Sequence, residues 1–204
     1  MSSNGSGATA GGDTPWRLFV AALLADANRR ALKLPIAQLA PLAPLVKASR
    51  PEAIHLTLHF LGSVEVERIE AISRGLQEAL ASFKPFEVEV AGVGAFPSLS
   101  RPRVLWAGIG GRDRERLGDL QAATGSALRS AGISIEPRPY APHLTLGRLR
   151  TIAPAGDRAA IGRWAEAWEA VSFGALSIDA IHLMRSDLSQ RPPRYSSLKS
   201  FPLQ

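Results

Sequence analysis

Two histidines of this chain head the same four-residue word, His55-Leu56-Thr57-Leu58 and His143-Leu144-Thr145-Leu146. Imidazole is the side chain that can both give and take a proton near neutral pH, and a threonine hydroxyl donates hydrogen bonds to anionic oxygens. On a strand, residues two apart share a face, so His55 and Thr57 point one way while Leu56 and Leu58 point the other. The second word repeats the arrangement. With four histidines and six threonines in the chain, chance predicts only about 0.1 His-x-Thr pairs. If the two strands lie side by side, two imidazoles and two hydroxyls converge on one pocket. That set suits hydrolysis of a phosphodiester. One imidazole activates water, the other protonates the departing oxygen, and the hydroxyls steady the non-bridging oxygens as phosphorus becomes five-coordinate.

Zinc is the rival chemistry. His55 and His59 are four residues apart, a spacing that suits two ligands on a helix. The intervening Leu-Thr-Leu alternates as a strand instead, and four strand residues span about 13 Å. No acidic residue lies within residues 55–62. Neither a metal nor another cofactor is therefore expected. The same alternation puts His59 on the side of His55, at the rim of the pocket, and His182 reads as structural. The absence of cysteine excludes disulfides, thiolate metal sites and a cysteine nucleophile.

The elements that must position these residues follow from periodicity. Residues 18–23 form a short apolar run that reads as a buried strand. A helix is expected after Asp26, limited by Pro35, and residues 39–46 carry two prolines that interrupt any regular element. The first word reads as a strand ending at Gly62. Residues 64–83 and 113–131 have the apolar spacing of amphipathic helices. Strands are expected at 86–90, 104–109 and 143–149, a helix near 157–170, and strands near 178–183 and 195–201. Residues 55–62 and 143–150 agree at five of eight positions, a weak internal repeat. The expected fold is α+β and bilobal, with two largely antiparallel β-sheets, flanking helices, a pseudo-two-fold axis and an active-site cleft between the lobes. Residues 1–14, rich in Ser, Gly and Ala, read as a disordered tail. Residues 15–204 read as a single domain with two lobes.

The bulk numbers agree with a soluble protein that meets a polyanion. The 204 residues carry a net charge of +6, 46% hydrophobic and 21% charged residues. The positive balance suits RNA, although the 20 arginines and 4 lysines are scattered, without a run. No stretch is long and apolar enough to span a membrane, and residues 1–14 lack the pattern of a signal peptide. A cytoplasmic monomer is expected.

With Arg17-Leu18-Phe19-Val20-Ala21 near the start, the paired words resemble the two-histidine (2H) phosphoesterase superfamily. Further segments narrow the resemblance to its RNA 2′,3′-cyclic phosphodiesterases, also called 2′-5′ RNA ligase-like proteins. These are Gly94-Ala95-Phe96-Pro97, Pro102-Arg103-Val104-Leu105-Trp106-Ala107-Gly108, Pro142-His143-Leu144-Thr145-Leu146-Gly147-Arg148, Leu183-Met184-Arg185-Ser186-Asp187-Leu188 and Tyr195. The resemblance runs from about Arg17 to Leu203. It implies an RNA with a 2′,3′-cyclic phosphate end as substrate and a 2′-phosphate as product. It implies His55 as the proton donor to the leaving ribose oxygen and His143 as the proton acceptor from water. Thr57, Thr145 and Arg148 would bind phosphate, and Phe19 would stack on a base or ribose, or serve the core. His59 stands where the family commonly has lysine. Arg101, Arg103 and Arg138 are candidates for the RNA path. A 2′-5′ RNA ligase, a phosphodiesterase for small cyclic nucleotides, and an RNA-binding module without catalysis stay open. Both histidines being intact weighs against the last.

Overall fold

The computed structural model describes residues 14–190 and 192–204. Apart from Thr14, the expected tail lies outside the described residues. The strands are β1 (Trp16–Leu23), β2 (Val46–Ala48), β3 (His55–Val64), β4 (Phe86–Phe96), β5 (Val104–Gly110), β6 (His143–Leu149), β7 (Ser172–Ile178), β8 (Ala180–Asp187) and β9 (Arg194–Pro202). The helices are α1 (Asp26–Ala31), α2 (Lys33–Ala37), α3 (Ile69–Leu80), α4 (Arg114–Ser130) and α5 (Ala155–Trp168). The class is α+β, as the sequence suggests, and every strand pairing is antiparallel.

The sheet differs from the expectation of two. All strands join one hydrogen-bonded sheet in the order β7-β4-β5-β6-β3-β1-β8-β9, with β2 added along β6. The two strands that carry the histidine words are neighbours at its centre. They are joined through a single residue pair, Leu56 with Leu144. Both leucines are fully buried, and burial of a leucine contributes roughly 1.5–3 kcal/mol. Apolar burial beneath the sheet, with only this thin ladder above it, makes the halves continuous.

Helices α3 and α4 pack against each other, α4 meeting β3 at the centre of the sheet and α3 meeting β9 at its edge. Ile72, Leu76 and Leu80 of α3 and Leu117, Leu120 and Leu128 of α4 fill the core. These are the stripes that the helical spacing predicts. Pro35 does not end the second helical turn: it is buried in the first turn of α2, where its missing N–H leaves no intrahelical partner wanting. Strand β4 runs past Val90 because Gly92, at φ +64°, forms a bulge that lets pairing with β5 resume at Val93. Strands β2 and β7 are not expected from periodicity. No helix among the described residues is long and apolar enough to cross a membrane.

Two glycines of α4 report how closely that helix meets the sheet. A Cβ on Gly125 would come within 2.9 Å of the His59 ring, whereas one on Gly118 would meet nothing within 4 Å. Replacing glycine by alanine inside a helix normally gains about 0.5–1 kcal/mol. Gly118→Ala should therefore raise the stability measured by urea unfolding, and Gly125→Ala should lower it by about 1 kcal/mol or more. Stabilisation by both would mean that α4 does not press on β3 here.

Candidate active site

Strict alternation along β3 and β6 ends at the fourth residue of each word. Val20 pairs with His59 and Ala21 with Thr57, which leaves Leu58 as an extra residue. Leu105 pairs with Gly147 and Trp106 with Thr145, which leaves Leu146 extra in the same way. Each is a β-bulge, and each flips the phase of the residues C-terminal to it. Leu58 and His59 are consequently both buried, and Phe60 emerges 61% exposed on the histidine face. Leu146 and Gly147 are both buried, and Arg148 emerges on the histidine face. Uninterrupted alternation would have turned Arg148, five residues from His143, to the underside.

The bulge corrects the expectation for His59. It is 4% exposed, away from the pocket rim, and its Nε2 hydrogen-bonds the Gln121 carbonyl of α4 at 2.8 Å. His182 hydrogen-bonds Ser197 between β8 and β9 and stands apart from the other histidines. Among the described residues no group of three or more His, Cys, Asp and Glu gathers closely enough to hold a metal ion.

The paired words meet as the faces predict. One residue either way from the antiparallel pair Leu56–Leu144, His55 lies level with Thr145, and Thr57 level with His143. The histidines thus occupy opposite corners of a four-residue square. Ordinary strand spacings put the diagonal on the order of 8 Å between Cβ atoms. Both rings are held alike. The Nδ1–H of His55 donates to the Ala53 carbonyl at 2.9 Å, and that of His143 to the Ala141 carbonyl at 2.8 Å. A carbonyl only accepts, so Nδ1 keeps its proton and Nε2 is the titrating atom of each ring. Burial pushes both imidazoles below their ordinary range. The carbonyl bond opposes this, and the Arg148 guanidinium lowers both further.

Aromatic rings fix the imidazoles from the sides. Phe19 stacks on His55 with centroids 4.7 Å apart, and Tyr195 meets both rings edge-on at 5.5 and 5.2 Å. Phe19 is 3% exposed, lies with its face on His55 and borders the space beside the two histidines. Phe96 plays the matching part at His143, edge-on at 4.9 Å, and leans in turn on Trp106. Gly94 is required opposite Trp106, because a Cβ there would lie 2.4 Å from the indole. The Tyr140 hydroxyl donates to the Thr57 carbonyl at 3.3 Å, and burial pushes its pKa well above the ordinary phenol range.

The two histidines line a cavity of about 690 Å³ that also takes in Thr57, Thr145, Arg148, Arg17, Lys47, Arg50 and Arg138. Among the described residues, five cations and no carboxylate therefore face it. Lys47 of β2 is directly paired with Arg148 of β6, and like charges placed opposite each other destabilise a sheet unless something anionic lies between them. Of the arginines singled out in the sequence, Arg138 reaches this cavity. Arg101 and Arg103 line a different one. Arg17, Lys47, Arg50, Phe96 and Tyr195 carry no signal of their own in the sequence beyond the segments in which some of them stand. Lys47 and Arg50 share one stretch of chain, the others come from separate ones, and only the sheet order brings them together.

A family model described as the 2′-5′ RNA ligase superfamily matches residues 29–190. An RNA 2′,3′-cyclic phosphodiesterase of Archaeoglobus fulgidus is 34% identical, over 91% of this chain and 99% of its own length. One from Methanothermobacter thermautotrophicus is 31% identical over 78% of this chain and 83% of its own. A crystal structure from Thermus thermophilus superposes with a TM-score of 0.73 at 29% identity, covering 92% of this chain and 97% of that one. The apo form of LigT from E. coli superposes at 0.70 and 25% identity, over 94% and 99%.

Arg148 is the charge that both imidazoles feel. Arg148→Gln should raise the titration midpoints of His55 and His143 together, read by NMR of the ring carbons, and leave that of His182 in place. If neither His55 nor His143 moved, Arg148 would not be oriented toward them.

Proposed function

Because this chain belongs to the 2′-5′ RNA ligase superfamily, we propose that it hydrolyses RNA ends bearing a 2′,3′-cyclic phosphate to 2′-phosphomonoesters. The observation that carries this reading is the diagonal pair of imidazoles, each with Nδ1 tied to a carbonyl and Nε2 left to work, in a cavity lined by cations. The phosphate sits between the diagonal histidines, with its non-bridging oxygens on the Thr57 and Thr145 hydroxyls and on the Arg148 fork.

The reaction then runs in line. Nε2 of His143, unprotonated, takes a proton from water as the water oxygen bonds to phosphorus. The P–O3′ bond breaks on the opposite side, and Nε2 of His55 gives its proton to O3′. The product keeps its phosphate on O2′ and regains a 3′-hydroxyl. His143 ends protonated and His55 neutral, and exchange with solvent restores the starting state. The five cations hold the charge that a metal ion would otherwise balance, so the mechanism calls for no metal.

Phe19, Tyr195 and Phe96 are positioning residues in this scheme: they hold the rings that move protons. Residues 15–204 act as one domain of two lobes about an approximate two-fold axis that passes near the Leu56–Leu144 pair, with the active-site cleft between the lobes. The symmetric bulges and the symmetric Nδ1 bonds support that view. One chain supplies both histidines, both threonines and the cations, so a monomer suffices, and an all-cationic pocket suits RNA in the cytoplasm.

An RNA ending in a 2′,3′-cyclic phosphate should be converted to the 2′-phosphate in the presence of EDTA, as read by chromatography against both phosphate isomers. A 3′-phosphate product, or turnover that EDTA abolishes, overturns the mechanism. His55→Ala and His143→Ala should each lower kcat at least about a hundredfold, the usual scale for a general acid or base. Near-full activity in either would end the paired assignment. With both midpoints depressed in the free enzyme, the bell of kcat/KM against pH should peak below 6.5. Its two limbs belong to the coupled pair. A maximum at alkaline pH would contradict it.

A further inference from the structure

A second cavity, of about 660 Å³, opens between the residues linking β4 to β5 and those linking β6 to α5. Its apolar lining comes from Pro97, Pro102 and Ile152, and three arginines, Arg101, Arg103 and Arg158, also line it. Among the described residues no carboxylate lines it, and none of the three arginines is ion-paired. Ile152 is 70% exposed at its edge. An uncompensated set of guanidiniums around exposed apolar surface is costly for a protein to keep unless an anion with a flat apolar part occupies it.

The two cavities share a wall. Phe96 and Val104 line the first, and their chain neighbours Pro97 and Arg103 line the second. That wall is rigid: the Arg103 N–H donates to the Phe96 carbonyl at 2.7 Å, and the Leu149 N–H to the Arg103 carbonyl at 2.9 Å. Arg148 stands at the boundary, paired with Val104. A strand whose terminal phosphate lies between His55 and His143 therefore finds, past Arg148, a second set of cations beside an apolar platform. Single-stranded nucleic acids are held in part by cations that follow the backbone, and an apolar surface beside those cations buries the face of a base.

We propose that this second cavity is a subsite for the RNA nucleotides upstream of the cyclic-phosphate end. Arg101 and Arg103 contact their phosphates, and Pro97, Pro102 and Ile152 receive a base. Arg158 holds the wall as well, since its Nη1 donates to the Ala153 carbonyl at 2.8 Å. The placement of the terminal phosphate rests on the proposed cyclic-phosphodiesterase function. The consequence is a preference for chains over cyclic mononucleotides.

The test compares a short single-stranded RNA ending in a 2′,3′-cyclic phosphate with uridine 2′,3′-cyclic phosphate. The Arg101→Gln/Arg103→Gln variant should lose about tenfold in kcat/KM on the RNA, mainly through KM. It should keep wild-type values on the mononucleotide. Its dependence of log KM on log salt should flatten by about 0.7 for each phosphate that no longer meets a guanidinium. Equal loss on both substrates, or no loss on either, overturns the subsite. A labelled RNA ending in a 2′-phosphate, followed by fluorescence anisotropy, separates this idea from the catalytic one. If the wild type turned over neither substrate, the catalytic reading would fail. Weaker RNA binding by the double variant would still support the subsite, and unchanged binding would overturn it. Displacement of the RNA by a poly-glutamate peptide as readily as by unlabelled RNA would also overturn the assignment to RNA.

Discussion

The burial of Leu56 against Leu144 is the contact on which the rest depends. Among the described residues it is the only register pair between β3 and β6, yet it fixes both strands in height and in face. Once the two leucines are turned down into the core, His55, Thr57, His143 and Thr145 must turn up together. The antiparallel direction then puts the histidines on a diagonal. A slip of one residue in either strand would invert every side chain of its word. The helical layer beneath, α3 with α4, supplies the apolar surface that makes such a slip costly.

The words and their shared faces are legible in the sequence because period-two alternation and leucine burial are local rules. The long helices are legible for the same reason, since each carries a clear apolar stripe. Features that no local rule encodes stay hidden. Leu58 and Leu146 look like ordinary inward residues, and nothing in their identity announces a bulge. The consequences are nevertheless large: His59 goes inward to α4, while Phe60 and Arg148 come outward. Strand β7, with its small residues Ser172, Gly174, Ala175 and Ser177, carries little strand propensity and is defined by pairing with β4. Strand β2 has three residues and exists because β6 offers it an edge.

Charge behaves in the same way at longer range. A net charge of +6 spread over 204 residues is weak evidence when the cations are scattered. Folding gathers Arg17, Lys47, Arg50, Arg138 and Arg148 around one cavity, and of these only Arg138, among the described residues, has a carboxylate partner, Glu136 at 2.8 Å. Like charges at that proximity oppose folding, and the direct pairing of Lys47 with Arg148 is the sharpest case. The fold tolerates it because the guanidinium and ammonium ends stay at the open side of the sheet, while apolar residues of β2 and β6, such as Val46 and Leu146, are buried.

That arrangement also couples proton state to substrate. For the protein's own groups, burial and Arg148 both favour neutral imidazoles, a state that suits the proposed base and leaves the proposed acid without its proton. A phosphodiester anion placed between the histidines reverses the balance at whichever ring lies nearer its charge, because an opposite charge within a few ångströms favours the imidazolium. In the proposed reaction only one ring need be recharged, since the other stays neutral to take the proton from water. The two histidines are built alike down to the carbonyl that each Nδ1 bonds, so the protein's own symmetry does not divide acid from base. The substrate does. Its O3′ and its attacking water lie on opposite sides of phosphorus, and in the proposed subsite the chain leads away past Arg148 on one side only. In the proposed mechanism the orientation of the RNA, held by the asymmetric surroundings of a symmetric pair, thus determines which imidazole gives the proton and which receives it.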